Sequence, residues 1–388
     1  MLKIDCSVGE GGGGLVRASL PLAVLTGQPV ELVNIRSRRD PATRGIGWTH
    51  FAFIEAICAW TGSRAEFSGL GATRLIFTPG PGRTAGQLSI DLDDSDKTFT
   101  TDHVHVTRNY IDGSDHFLEN IDNRNGRGIR GHSIAMFLVG LLPLLATADG
   151  ATTIRALGST ETPGGPFIDA IKHCLYPPAS KLVGRVLQCD VKSRGCLGVG
   201  GGEVLATIQP DQQAMPPNTL TLEDGQSLVE AIYYLFGGSR FSASASSQLL
   251  QGHQQIEATL MTSIEADMIF IPYSVRRVQV IFLIKTHQSV RDVSVCWEEG
   301  WGLGAAFVEA CTLRLVNEME AAGLTSRFVV EQLLPLAAAT NSLHRFRTEA
   351  LTNHAISVIH VIKALTTRRI TALSEGRAVA ITVEPSSS

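Results

Sequence analysis

The sequence is poor in charged and aromatic residues, and these scarcities exclude several classes of protein. Charged residues make up 18% of the 388 residues and aromatic residues 6%, against 44% hydrophobic residues, which excludes a disordered chain. The formal net charge is -4, which argues against a protein that coats long nucleic acids through bulk charge. No apolar run of 18 residues is free of charge or proline, and the N-terminus shows no hydrophobic signal region. We therefore expect a globular protein without a membrane segment.

The number and spacing of the cysteines do not suit a fold stabilised by disulfides or by zinc. The seven cysteines are scattered, odd in number and never arranged as CxxC. This argues against both a disulfide framework and a zinc site built from cysteine pairs. The reducing cytoplasm is the compartment that we expect.

Three copies of Leu-Pro-Leu indicate an internal repeat. The copies at 20–22, 142–144 and 334–336 each close an apolar, helix-like run, and each is followed by small residues and then by an arginine-containing segment typical of a strand. Shared flanks make coincidence a poor explanation, so the sequence predicts a pseudo-symmetric fold of packed units. The interval between the second and third copies is 70 residues longer than that between the first two. We place an inserted small module at about 205–290, which leaves 1–204 and 291–384 as the repeat domain.

A glycine-rich segment near the N-terminus is the first candidate binding site. It runs from Gly9 to Arg17, follows a short predicted strand and leads into the first predicted helix. Successive glycines let backbone N–H groups approach a ligand, and a helix N-terminus favours a phosphate. A flexible turn is the plainer interpretation, but Glu10 and Arg17 frame the glycines as a nucleotide or metal–phosphate site would require. Arginines crowd the end of the next predicted strand and suit bidentate phosphate recognition, unless they only form a solvated strand end: Arg36, Arg38, Arg39 and Arg44.

With these residues, the chain resembles the RNA 3′-terminal phosphate cyclase family. The GEGGGQ-x-x-R element of that family corresponds to Gly9–Arg17, with Gly14 in place of glutamine, and its I-R-x-x-R element corresponds to Arg36 and Arg39. A helix that contains D-Q-L followed by proline corresponds to 331–335. The family segment with the histidine nucleophile, L-T-x-H-x-x-T-N, corresponds to 351–358. The resemblance covers nearly the whole chain outside 92–128.

The resemblance implies a fold and a reaction. The implied fold is a mixed α/β (α+β) protein of three pseudo-symmetric α2β4 repeats, with a small α/β domain inserted in the third. The implied reaction uses ATP and Mg²⁺: a histidine is adenylylated, AMP passes to a terminal phosphate, and the neighbouring hydroxyl closes a 2′,3′-cyclic phosphate. The implied acceptor is an RNA 3′ end or a related small phosphorylated molecule.

Residue roles follow from the same resemblance. His354 would be the nucleophile, and Glu10 would lie by the adenylate and bind Mg²⁺. Arg17, Arg36 and Arg39 would hold the substrate phosphate. The remaining nucleotide contacts would come from Gly11, Gly12, Gly13, Phe328, Glu331 and Gln332. The plainer interpretation of His354 is a core histidine in an apolar helix or strand.

Departures from the family pattern lie on the acceptor side. The Thr-Asn pair after the nucleophile is Ser357-Val358, and the family's Arg-Gln-His run is Trp48-Thr49-His50. These losses predict a changed acceptor rather than an inactive enzyme. The polar insertion at about 92–128 is a second candidate acceptor element. Its His103 and His105 have a spacing found in metal ligands, although exposed loops collect histidines without binding metal.

Two other functions remain open from the sequence. One is a non-catalytic RNA-binding or ribosome-biogenesis protein, as in a branch of the same family that lacks the histidine. The other is an enolpyruvyl-transferase-like enzyme on the same repeat fold. Retention of His354 argues against the first, and the glycine run with the histidine segment argues against the second. The oligomeric state stays open, with a homodimer as one option.

Overall fold

The computed structural model describes residues 1–41, 43–81, 85–93, 100–101, 132–162, 165–196, 199–210, 227–273, 276–286, 289–298, 304–321 and 324–386. The chain divides into two compact units. The first comprises Met1–Ala214 and Arg327–Ser388, and the second is Met215–Ser326.

The first unit opens with a β-α-β element that contains the glycine segment. β1 (Leu2–Asp5) and β2 (Val30–Val33) are parallel neighbours, and helix α1 (Gly14–Thr26) connects them. Apolar residues on every side of α1 explain why ten of its residues are buried. β3 (Arg64–Glu66) and β4 (Leu75–Thr78) complete a sheet of order β1-β2-β4-β3, and helix α2 spans Trp48–Thr61.

A five-stranded sheet follows in the same unit. Its order is β6-β5-β7-β9-β8, and its strands are β5 (Gly86–Asp91), β6 (Thr100–Thr101), β7 (Thr152–Gly158), β8 (Arg185–Ser193) and β9 (Gly202–Pro210). Along β7, buried and more exposed residues alternate, as the period of two in a half-buried strand requires. The helical elements here are α3 (Ile134–Ala146), α4 (Ile168–Ala170), a π-helical turn (Ile171–Leu175) and α5 (Tyr176–Val183).

The second unit is a small α/β module. Its sheet has the order β11-β10-β12-β13, with β10 (Leu228–Phe236), β11 (Ile264–Ile271), β12 (Arg277–Lys285) and β13 (Val290–Glu298). Helices α6 (Ser239–Leu260) and α7 (Ala305–Glu320) share one apolar core with the sheet. The sequence placed the inserted module at about 205–290, whereas this unit extends to Ser326. β13 pairs with β12 and α7 packs on both strands, so they fold with the module.

The last part of the chain returns to the first unit. It contains α8 (Arg327–Ala339), β14 (His344–Thr348), α9 (Asn353–Leu365), β15 (Ile370–Glu375) and β16 (Ala378–Val383), and the three strands form a sheet of order β14-β16-β15. The prediction of a mixed α/β fold is confirmed.

The three Leu-Pro-Leu copies all lie within helices that pack on one another. Pro21, Pro143 and Pro335 are interior residues of α1, α3 and α8, and each of these helices contacts the other two. A threonine hydroxyl donates to a last-turn carbonyl oxygen near each helix end: Thr26 to Leu22, Thr147 to Pro143 and Thr340 to Ala337. These shared features agree with the predicted repetition, while the α2β4 composition of each repeat stays a prediction.

Candidate active site

The glycine loop lies between the carboxyl end of β1 and the N-terminus of α1. Glycine is required at two of its positions because Gly9 and Gly11 have φ angles of 65° and 66°. Gly13 precedes the first helical residue and offers no side chain to cap α1. The first backbone N–H groups of α1 are therefore not occupied by a capping side chain, and such a helix start attracts anions.

Helix α9 fixes the loop from the other end of the chain. The Ser357 hydroxyl accepts a hydrogen bond from the backbone N–H of Glu10 at 2.9 Å and lies 3.0 Å from the carbonyl oxygen of Val8. The N–H of Glu10 also lies 3.2 Å from the carbonyl oxygen of Asn353. The first turns of α9 and the loop thus form one assembly, which sets the loop relative to His354.

His354 is paired with a carboxylate. Its Nδ1 lies 2.9 Å from Oε2 of Glu331 on helix α8, and the other carboxylate oxygen accepts a hydrogen bond from the Thr352 hydroxyl. The same hydroxyl caps α9 through the N–H of Ala355. A carboxylate accepts but does not donate, so the proton of the neutral ring belongs on Nδ1 and the lone pair on Nε2. A carboxylate in this position orients the imidazole of a histidine nucleophile, and the nucleophile role of His354 stays a prediction.

The lone-pair side of His354 faces the glycine loop. A Cβ added at Gly14 would overlap with Nε2 of His354. This close approach gives a physical reason for Gly14, the position at which the sequence departs from the family's glutamine. The His354 side chain remains 19% exposed, which leaves a path for a ligand.

The predicted phosphate arginines lie around the same loop. Arg39 contacts Glu10 Oε1 at 3.2 Å, and Arg36 donates to the carbonyl oxygen of Gly45 at 3.0 Å. Arg36 has a φ of 48°, a conformation that costs a non-glycine residue about 1–2 kcal/mol. Burial lowers the pKa of Arg17 to about 10, while Glu10 raises it and Arg36 lowers it. Arg17 therefore stays charged at neutral pH, and no described residue accepts a hydrogen bond from its side chain.

Glu10 is the predicted magnesium ligand. Within the described residues no group of three or more His, Cys, Asp or Glu side chains is arranged to hold a metal ion. Mg²⁺ commonly takes one or two protein carboxylates and completes its shell with water and substrate phosphates. The half-exposed carboxylate of Glu10 beside a glycine loop fits that kind of site.

Phe328 and Gln332 share helix α8 with Glu331. Phe328 precedes Glu331 by three residues and Gln332 by four, so the three side chains lie on neighbouring positions of one helix surface. Phe328 and Gln332 are both half-buried. The predicted nucleotide residues Phe328 and Gln332 thus lie on the same helix as the carboxylate that contacts His354. Their contact with adenosine stays a prediction.

Helix α2 brings further polar side chains into the candidate site or next to it. His50 of α2 lies against Gly13, where an added Cβ would overlap with its Nε2, and both of its ring nitrogens are buried without a hydrogen-bond partner in the described chain. Nε1 of Trp48 is buried and unpaired in the same sense. His132 is joined to α2 through Thr49, whose hydroxyl lies 3.3 Å from Nδ1 of His132. Trp48 and His50 belong to the Trp48-Thr49-His50 run that departs from the family pattern, and no sequence signal relates His132 to them.

Other polar features lie elsewhere in the first unit or outside the described residues. Asp93 accepts a hydrogen bond from the N–H of Gly201 at 2.8 Å, which holds the Gly200–Gly202 turn. The predicted metal ligands His103 and His105, and most of the 92–128 insertion, lie outside the described residues. None of the described helices is both long and apolar enough to cross a membrane.

Similarity to one protein family extends over the part of the chain that contains this site. The profile of the RNA 3′-terminal phosphate cyclase family matches residues 8–372. The chain belongs to this family. The match includes the glycine loop, the arginines, Glu331 and His354.

Individual members of the cyclase family are similar at about 30% identity. RNA 3′-terminal phosphate cyclases of Desulfurococcus amylolyticus and Caldivirga maquilingensis are each 30% identical, over 56% and 57% of this chain and 50% and 52% of their own lengths. The protein of that name from Methylococcus capsulatus is 30% identical over 55% of this chain and 50% of its own. The chain thus spans about half the length of the curated relatives that it matches.

Proposed function

We propose that this protein is an ATP-dependent cyclase that adenylylates itself on His354 and then activates a terminal phosphate for cyclisation. The observation that carries the proposal is the Glu331–His354 hydrogen bond, with Nε2 directed at the glycine loop. Here one nitrogen is held by a carboxylate, and the other faces a loop of the kind that accommodates phosphates.

The first step is attack of Nε2 on the α-phosphorus of ATP. A P–N bond forms while the bond from that phosphorus to pyrophosphate breaks. The ring gains positive charge as it attacks, and the adjacent carboxylate of Glu331 stabilises that charge. Ser357 holds the loop backbone at a fixed position relative to the attacking nitrogen, which limits the orientational entropy that the reaction must overcome.

Glu10 and the arginines have different roles in phosphate binding. Glu10 would hold Mg²⁺ against the triphosphate, and the bound ion would neutralise charge that otherwise repels the nucleophile. Arg17 interacts electrostatically with Glu10 and Arg36, and neither arginine forms a salt bridge in the described chain, so we assign both to the acceptor phosphate. Arg39 instead contacts Glu10 and would couple the two phosphate sites.

AMP then passes from His354 to the acceptor phosphate. The 2′-hydroxyl attacks the activated phosphorus, the cyclic phosphate closes and AMP leaves. The acceptor is an RNA 3′ end or a related small phosphorylated molecule. Loss of the family's asparagine at Val358, which is 2% exposed, removes an amide that could bind an acceptor and favours a changed acceptor.

The decisive experiment uses ATP labelled in the α-phosphate, with Mg²⁺ and without acceptor. Wild type should take up acid-labile label, and His354→Ala should take up none. His360→Ala is a matched control on the same helix and should label like wild type. Equal labelling of His354→Ala and wild type would remove His354 as the nucleophile, and an unlabelled wild type would favour the non-catalytic branch of the family.

A further inference from the structure

The histidine that the mechanism above does not use, His50, lies among the residues assigned to the acceptor phosphate. It is the third residue of α2, and its two ring nitrogens face two different glycines. Nε2 lies over Gly13, and Nδ1 lies 3.6 Å from where a Cβ of Gly47 would be. Nη1 of Arg36 lies 3.1 Å from that same point, so the guanidinium and Nδ1 share one side of Gly47.

An imidazole buried with neither nitrogen paired is unusual, because an unsatisfied buried polar group costs about 1–3 kcal/mol. Both nitrogens of His50 are in this state within the described chain, and the Trp48 indole N–H adds a third buried, unpaired group on the same helix turn. A buried polar group without a partner calls for an explanation, and a catalytic role is one of those found in folded proteins. Both ring nitrogens are buried, and Nε2 lies against the loop that binds phosphates in the proposed function.

The charges around His50 define its protonation state. The pKa of His50 is held well below its ordinary value, first by burial and then by Arg17 and Arg36. His132, which approaches α2 through Thr49, also has its pKa lowered by burial. No carboxylate contacts His50 in the described chain, so the ring is neutral near pH 7. The guanidinium beside Nδ1 disfavours an N–H there, which places the proton on Nε2 and the lone pair on Nδ1.

We propose that His50 is the general base that closes the cyclic phosphate, a role that rests on the proposed function. Nδ1 of His50 takes the proton of the 2′-hydroxyl as its oxygen forms a bond to the activated phosphorus. The bond from that phosphorus to AMP breaks, and AMP carries away the electron pair. The phosphate that Arg17 and Arg36 bind brings negative charge to the ring, which raises the proton affinity of Nδ1 at the moment when a base is needed.

Closure can be tested apart from self-adenylylation by supplying the activated acceptor ready-made. The substrate is a short RNA with AMP joined to its 3′-phosphate, mixed with excess enzyme in a single turnover. For His50→Gln we expect closure slower than wild type by about 100-fold or more. The wild-type rate should be nearly flat above pH 7, whereas the variant rate should rise with pH because hydroxide then has to remove the proton.

Two further measurements separate a base from a merely structural residue. Free imidazole should restore part of the rate to His50→Ala, and His360→Gln should close the ring as wild type does. Label from ATP on His354 in the His50 variants shows that they are folded, and it reports on the proposed function independently. Closure at the wild-type rate in His50→Gln would overturn the proposal. A slower rate with an unchanged pH profile and no imidazole rescue would do so as well.

Discussion

Replacing Glu331 with glutamine tests the orientation of the nucleophile most directly. The substitution keeps the size of the side chain and removes only its charge. The carboxylate accepts hydrogen bonds from Nδ1 of His354 and from the Thr352 hydroxyl. An amide could still accept one of them through its oxygen, but it would not stabilise the positive charge that the ring gains during attack. Its NH₂ group could also donate to Nδ1 and so move the proton to Nε2, where the lone pair is needed.

The expected magnitude follows from the kind of hydrogen bond that is lost. A bond to a charged group contributes about 1.5–3 kcal/mol, and a neutral one about 0.5–1.5 kcal/mol. Each 1.36 kcal/mol corresponds to a factor of ten in rate. We therefore expect Glu331→Gln to lower the rate constant of self-adenylylation by about 10-fold, and Glu331→Ala by about 10- to 100-fold.

The assay is single-turnover labelling from α-labelled ATP over a range of ATP concentrations, which separates the maximal rate constant from ATP affinity. A loss confined to the rate constant supports the action of Glu331 through His354. A loss of ATP affinity with an unchanged rate constant would instead support the adenosine contact that the resemblance implies. Glu66→Gln removes the charge of an exposed glutamate in the same unit and should match wild type. A wild-type rate constant in Glu331→Gln would refute the tautomer argument.

Three further predictions concern the loop, the acceptor site and the core. Gly14→Ala should lower self-adenylylation because its Cβ overlaps with Nε2 of His354. Gly165→Ala is the control and should label normally, since its Cβ would meet its nearest neighbour at 3.7 Å. Equal labelling of the two variants would show that His354 does not approach the loop. Arg36→Ala should spare self-adenylylation and slow AMP transfer to a 3′-phosphorylated oligonucleotide by about 10- to 100-fold, since one charge-assisted phosphate contact contributes about 1.5–3 kcal/mol. A transfer rate like that of wild type would show that Arg36 does not bind the acceptor phosphate. Arg194→Met should lower the free energy of unfolding by about 3–5 kcal/mol in urea titration, because it removes the cation that bridges two buried carboxylates. Arg155→Met breaks an exposed pair and should change the free energy of unfolding little.

The basis of the Arg194 prediction is a buried network that the sequence did not point to. Glu161 and Asp169 are 0% and 2% exposed, and Arg194 lies 2.6 Å from Asp169. Burial raises the pKa of Glu161 to about 7, against the opposing effect of Arg194. The three residues come from separate segments of the chain, and no spacing in the sequence relates them.

Much of the local structure follows from the sequence alone. Apolar runs with small residues at their ends specify α1, α3 and α8, and the segments after each Leu-Pro-Leu form β2, β7 and β14 as their alternation requires. The glycine run between a strand and a helix is a local signal as well, because the positive φ angles at Gly9 and Gly11 depend on residue type. His354 and its neighbours could be aligned to a family segment because that segment is contiguous.

Tertiary structure decided how these local pieces meet. Glu331 and His354 lie on different helices, and Ser357 contacts a loop 347 residues earlier in the sequence. Neither contact can be predicted from the periodicity of the sequence. The extent of the inserted module was decided in the same way, since β13 joins it through pairing with β12. His50 gives the clearest case, because its sequence context does not indicate a catalytic base. It became a candidate base only because folding buried both of its nitrogens beside Gly13 and Arg36. Propensity and periodicity act over a few residues, whereas desolvation and charge depend on which distant surfaces pack together.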